Sequence, residues 1–373
     1  MVHFRRSIDP SLFKGTMPLP PPQVTLLVPE LLWPEPEDRD TLANLSCPAL
    51  NTLLARGRAH HRPALSHEAM LSALFGHEGN AAYAAFRRLG DAGHEAPPHD
   101  GEWLAADPVH LRLDQQLLIL ADGATLNIAQ NDAQALVDGL NRHFADIGEF
   151  HCAAPHRWYL RLADNCTLPA FDAPPISAVA GRSIQHLLPD VMQELAVRNL
   201  YNEIQTFLHA HPVNQQREAQ GTQALNGLWL WGKGRLPDRI DSDFDGVWAN
   251  DPLAAGLARA AGVTAHPAPA DAEAFLPHLA PGTQHLVVLD DLLGPVQYEN
   301  GPDYRSAFAR LETGWFAPLR HALSAGRLKE LRLHATTTYA VLTWECRRFD
   351  QWRVWQRPQP LADLIGALAK ESR

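Results

Sequence analysis

The chain contains no uninterrupted apolar run approaching the roughly 18 residues that a membrane-crossing helix needs. Its four cysteines, Cys47, Cys152, Cys166 and Cys346, make no CxxC pair. Their spacings exclude a zinc ribbon and a compact disulfide framework, and they fit unpaired thiols in a reducing compartment. There is no Lys/Arg-rich block, and 32 basic residues against 42 acidic ones give a net charge of −10. Such a field repels phosphate backbones and anionic membranes, so neither nucleic acid nor a membrane is expected as a partner. Arg5 and Arg6 are followed by no apolar run, so the N-terminal stretch does not read as a signal peptide and a cytoplasmic location is expected. No GxSxG elbow, P-loop or HExxH helix occurs, the last despite 19 histidines. The run Asp241, Asp243, Asp245 opens like a calcium loop, but Pro252 stands where the closing bidentate acid belongs, which excludes an EF-hand.

What is present is an ordinary globular balance, 46% hydrophobic and 20% charged, over 373 residues. That length exceeds what one core normally supports and predicts a large domain with an insertion, or two domains. A proline cluster leads into an apolar run at 24–28 that Pro29 cuts off, the pattern of a strand buried on both faces. Residues 46–57 read as a helix with Pro48 in its first turn and Gly57 past its end. A second breaker zone at 95–103 precedes a strand and turn at 117–123 and a helix at 131–145. Residues 100–185 are therefore expected to form an inserted smaller domain, and residues 1–99 and 186–373 a discontinuous core. A helix over 191–210 is expected, with Asp190 as its cap, Gln193 completing a capping box and Pro212 as its stop. Beyond it, LNGLWLW, a helix at 252–261, HLVVL, a helix at 304–324, ELRLHA and YAVLTW alternate. That rhythm predicts a mainly parallel sheet.

Ligands of open α/β sheets sit beyond the carboxyl ends of the strands, which directs attention to three places. Glu30 follows the first strand, as a metal ligand or as part of a solvated loop. Asp290 and Asp291 follow HLVVL, as metal ligands or bases, or as a turn cap. Gly232, Lys233, Gly234 and Arg235 follow LNGLWLW, as an anion-holding turn or a plain strand-to-loop turn.

The segment HPVNQQREAQG followed by NGLWLWGKG, residues 211–234, resembles the archaeal-type cofactor-independent phosphoglycerate mutases, in which a His-Pro-x-Asn-x-x-Arg helix end leads to a strand and a Gly-x-Gly turn. CPALNTLLARG, WLAADPVHLRLD, DGATL, PHRWYLRL, ANDPLAAGLARAAGV and LDDLLG are similar to further segments of that family, in the same order. The resemblance implies an α/β, alkaline-phosphatase-like three-layer sandwich with an inserted smaller α+β domain. It implies two divalent metals that activate a serine to carry a phosphoryl group. On that pattern Ser66 in ALSHEAML is the candidate nucleophile, and Asp291, with Asp290 and Glu30, the vestige of the metal set. Arg217, Lys233 and Arg235 are the candidate substrate-binding cations. The family's Asp-Gly after the first strand is Pro29-Glu30, its Asp-x-x-Gly-His ends in Pro295, and its late Asp-His pair is replaced within LHATTTYAV.

The resulting expectation is a catalytically degenerate homologue, similar to RpfE-type regulatory proteins, that needs no cofactor and binds a phosphorylated small molecule or a regulatory protein partner. The rival is an active metal-dependent phosphoglycerate mutase or phosphomonoesterase with rearranged ligands, using manganese or magnesium. A third reading is an interaction protein with some of its ten tryptophans at a contact surface.

Overall fold

The computed structural model describes residues 19–43, 45–77, 82–92, 101–166, 168–169 and 173–371. The readings of the N-terminal stretch and of most of the breaker zone at 95–103 lie outside them. A seven-stranded sheet forms the centre, in the order β2 (Arg58–Pro63), β12 (Ala340–Arg347), β11 (Glu330–Thr336), β1 (Gln23–Leu27), β10 (Gln284–Val288), β8 (Gly246–Trp248) and β9 (Thr264–His266). From β11 to β9 every pairing is parallel, while β12 and β2 run antiparallel. Alternate residues of each central strand point to opposite faces. Leu27, Leu286 and Val288 join one apolar cluster, and Leu26, Val287 and Leu333 join another. The sheet is thus the middle layer of three.

The second sheet contains β3 (Trp103–Asp114), β4 (Leu117–Asp122), β5 (Gly148–Ala154) and β6 (Arg157–Leu162), all antiparallel, and its fifth strand is β7 (Gly227–Gly234). This corrects the expectation that LNGLWLW belongs to the parallel rhythm. A run as apolar as Leu228, Trp229, Leu230 and Trp231 suits any strand buried on both faces, and β3 supplies the partner.

Two helix boundaries also differ from expectation. The long helix begins at Leu195, because 188–191 form a separate turn that contains Asp190. Leu195, its first residue, is exposed. The helix expected at 304–324 is Gly301–Leu311, a π-helical turn Glu312–Phe316, and Ala317–Ser324. Within that turn the buried Glu312 carboxylate accepts hydrogen bonds from Ala49 N and Leu50 N at 2.6 and 3.1 Å. It caps the helix Pro48–Arg56, whose own N-cap, Cys47, makes no side-chain cap bond.

Helices Tyr83–Asp91 and Pro252–Ala260 touch backbone to backbone. A Cβ at Gly90 would lie 1.7 Å from Pro252 O, and one at Gly256 would lie 1.7 Å from Phe86 O. Only glycine fits at either place, and the contact fixes where these two helices present their side chains.

Candidate functional site

The parallel strands all end at one edge of the central sheet, and four acidic side chains meet there with a histidine. Glu30 follows β1, Asp251 follows β8, Asp290 follows β10, and the helix His67–Leu74 brings His67 and Glu68 over them. Two adjoining recesses of about 190 and 210 Å³ share His67, Ser177 and Leu293 in their walls. One also contains Glu68, Asp251 and Asp290; the other contains Glu30, Ser66, Arg182 and Thr336 to Thr338.

His67 Nε2 and Asp251 Oδ2 are 2.6 Å apart, with side chains 5% and 13% exposed. Asp251 also caps its own helix, its Oδ1 accepting from Leu253 N at 2.7 Å. Burial works against the imidazolium, but the hydrogen bond and charge of Asp251, with Glu68 and Asp290 nearby, raise the His67 pKa to about 9. The ring is therefore a cation at neutral pH that donates through Nε2. Its Nδ1 is buried with no hydrogen-bonding partner among the described residues.

The other acids are pushed toward their neutral forms. Burial raises Glu30 to about 7 against the opposing charges of Arg182, 3.6 Å away, and His67. Burial also raises Glu68, whose Oε2 accepts from Ser177 Oγ at 2.6 Å, and Asp290, which faces the Asp251 charge. Glu30 has φ +54°, the left-handed region that a glycine enters freely. It stands where the resemblance expects the glycine of Asp-Gly, while the aspartate position holds Pro29.

The candidate residues are thus only partly brought together. Glu30, Ser66 and Asp290 line the recesses. The Ser66 hydroxyl accepts from Ala69 N at 3.1 Å and caps the helix. Asp291 is exposed and lines neither recess. Arg217 is buried elsewhere and donates to Gln223 O and Leu126 O at 2.9 and 2.6 Å. Lys233 donates to Leu168 O at 2.6 Å and pairs with Glu102 at 3.4 Å. Arg235 is exposed and lines neither recess.

The segment 211–234 does structural work. The Asn214 amide donates to Leu208 O and Leu225 O and its oxygen accepts from Leu225 N, each at 2.8 Å, which ties the helix end to β7. Sequence reading missed His67, Glu68, Ser177 and Asp251. Two carried a local signal: Ser66 precedes His67 in ALSHEAML, and Asp251-Pro252 is a cap-and-first-turn pair.

Among the described residues no three His, Cys, Asp or Glu side chains form a group able to hold a metal ion. His67 gives Nε2 to Asp251, which leaves Nδ1 as its one remaining ring nitrogen. As placed, the described side chains do not converge into the ligand sets that the two divalent metals implied by the resemblance would need.

These features define an α/β protein whose parallel strands end in an acidic, self-paired cleft. No family model matches the chain. It is 29% identical over 112 residues to the 2,3-bisphosphoglycerate-independent phosphoglycerate mutase 2 of Methanothermobacter thermautotrophicus, covering 30% of this chain and 28% of that protein. It is 27% identical over 211 residues to the corresponding mutase of Methanosarcina mazei, covering 54% of this chain and 51% of that protein. The matched stretches thus span about half or less of these relatives' lengths. Among solved structures, the PH0037 protein from Pyrococcus horikoshii superposes with a TM-score of 0.53 at 13% identity, covering 95% of this chain and 99% of that one. Over about half of its length the chain is similar in sequence to cofactor-independent phosphoglycerate mutases, and its α/β fold is that of the PH0037 protein.

Proposed function

We propose that this protein is a catalytically degenerate relative of those mutases that keeps the cleft as a small-molecule-binding site, with a regulatory role of the RpfE type. The observation that carries the reading is the His67–Asp251 pair at the centre of the cleft. A two-metal phosphotransferase needs several convergent charged ligands, because its metals form the nucleophile and neutralise the phosphoryl group. Among the described residues no three His, Cys, Asp or Glu side chains converge in that way, and His67 Nε2 and the Asp251 carboxylate are bonded to one another. Ser66 spends its hydroxyl oxygen as a helix cap. His67 and Glu30 both line a recess, and each keeps one buried side-chain atom, Nδ1 and Oε2, without a hydrogen-bonding partner among the described residues.

The test is metal analysis of the purified protein together with mutase and phosphatase assays in manganese. The expected result is less than one tightly bound metal per chain and no turnover above blank. Two tight metals, with activity that Ser66→Ala abolishes, would establish the rival active enzyme instead.

A further inference from the structure

Eight of the ten tryptophans are buried, while Trp352 and Trp355 are each 74% exposed. Phe349 and Val354, 82% and 70% exposed, lie on the same short segment, a 3₁₀ turn Arg348–Trp352 and the loop after it. Single exposed apolar residues are ordinary, but four large ones within seven residues form a patch.

Charge sets this patch apart from the rest of the chain. Residues 347–357 contain four arginines against one aspartate, a net of +3 in a protein of net −10. Arg347 and Arg353 pair with Glu330 and Asp350, while Arg348 and Arg357 are exposed. The segment follows β12 and packs against the helix Pro48–Arg56, where Arg56 Nη1 donates to Gln351 O at 2.5 Å, and β12 pairs with the outer strand β2. That strand brings Arg58 to this end of the sheet, opposite Glu345. Directly beside the patch opens a recess of about 320 Å³ walled by Leu54, Trp344, Leu361 and Leu364, with Arg357 also in its lining.

We propose that this face docks on an anionic lipid bilayer, with Phe349, Trp352 and Trp355 entering the headgroup region and the surrounding arginines facing lipid phosphates. Tryptophan and phenylalanine flanked by arginine are the residues that settle at a bilayer interface, with the apolar body buried and the polar edge wet. Clustered arginines add attraction to anionic headgroups. Val354 presents no π-face to a nucleobase, and an apolar recess with a guanidinium beside it suits an acyl chain beneath a phosphate. These two features favour lipid over a single-stranded nucleic acid. The net charge of the chain, which disfavours such a surface on average, does not describe this face.

The test is co-sedimentation of the full chain with vesicles of phosphatidylcholine alone and of phosphatidylcholine containing about a third phosphatidylglycerol. The protein is expected to pellet with the anionic vesicles only, and to be released as salt screens the arginines. The double variant Trp352→Ser/Trp355→Ser should lower the apparent affinity at least about tenfold, with circular dichroism and thermal unfolding unchanged. The charge variant Arg348→Glu/Arg357→Glu should do the same through a different group. No pelleting of the folded protein with anionic vesicles, equal pelleting with neutral ones, or undiminished binding by both variants would overturn the proposal. Capture by a single-stranded oligonucleotide without vesicle binding would also overturn it.

Discussion

Two clusters of buried charge face each other across the cleft, and they are built on opposite terms. In the first, Arg87 donates to both oxygens of Asp107 at 2.7 and 3.1 Å, and Trp231 Nε1 donates to the same carboxylate at 2.8 Å. Arg157 and Tyr159 close on Asp91 in the same way, and the Arg87 guanidinium lies over the Tyr159 and Trp231 rings at 5.5 and 5.4 Å. None of the side-chain nitrogens and oxygens of these residues is buried without a partner. The second cluster, around His67, leaves His67 Nδ1 and Glu30 Oε2 unpartnered and holds Glu30 in the left-handed region. Satisfied networks stabilise a fold, and unsatisfied ones at strand ends mark where a ligand is expected. The helices that bear Arg87 and Asp251 touch through Gly90 and Gly256, so the two clusters are held in a fixed relation.

The largest effect should come from breaking the satisfied cluster. Asp107→Leu leaves the Arg87 guanidinium buried and uncompensated and should cost about 3–5 kcal/mol in chemical denaturation. A loss under about 1 kcal/mol would show that the two clusters do not differ as described.

The cleft should respond to pH instead. Glu30 moves from 4.5 to about 7 on folding, so the folded chain holds this proton more tightly than the unfolded one. Its contribution is intact below pH 4.5 and lost as pH rises to 7, on the order of 3 kcal/mol at most. Glu30→Gln should therefore match the native protein at pH 4 and exceed its stability at pH 8. The raised His67 pKa acts in the same direction from 6.5 to about 9. A Glu30→Gln variant with an unaltered pH–stability curve would show that the fold does not hold the Glu30 proton.

The smallest effect concerns Ser66. As a helix cap, Ser66→Ala should lower stability by about 1 kcal/mol, and Ser66→Asp, another capping residue, should retain most of it. A loss of activity without a change in stability would assign Ser66 to chemistry.

Strand-end logic made part of this site legible. Glu30 and Asp290 follow apolar runs bounded by breakers, so their position at the sheet edge was readable before the structure. Asp251 carries little signal in the sequence, because β8 before it is three residues long and gives almost no pattern of its own. His67 was overlooked beside a serine, since its meaning depends on an aspartate 184 positions away. Lys233 reads as an anion ligand because a cation in a glycine turn looks alike whether it faces a ligand or a carbonyl, and Arg217 does so through the His-Pro-x-Asn-x-x-Arg resemblance. Their donors go to backbone oxygens, and only the tertiary structure places those. The same holds for β7: its apolar run announces a buried strand without saying which sheet receives it.

The most direct test of the account is the protonation of His67, followed by nitrogen NMR of the histidine-labelled protein from pH 5 to 10, with and without zinc. The account predicts an imidazolium with protons on both nitrogens up to about pH 9, unmoved by the metal. A neutral ring at pH 7, or one that loses a proton when zinc is added, would contradict it.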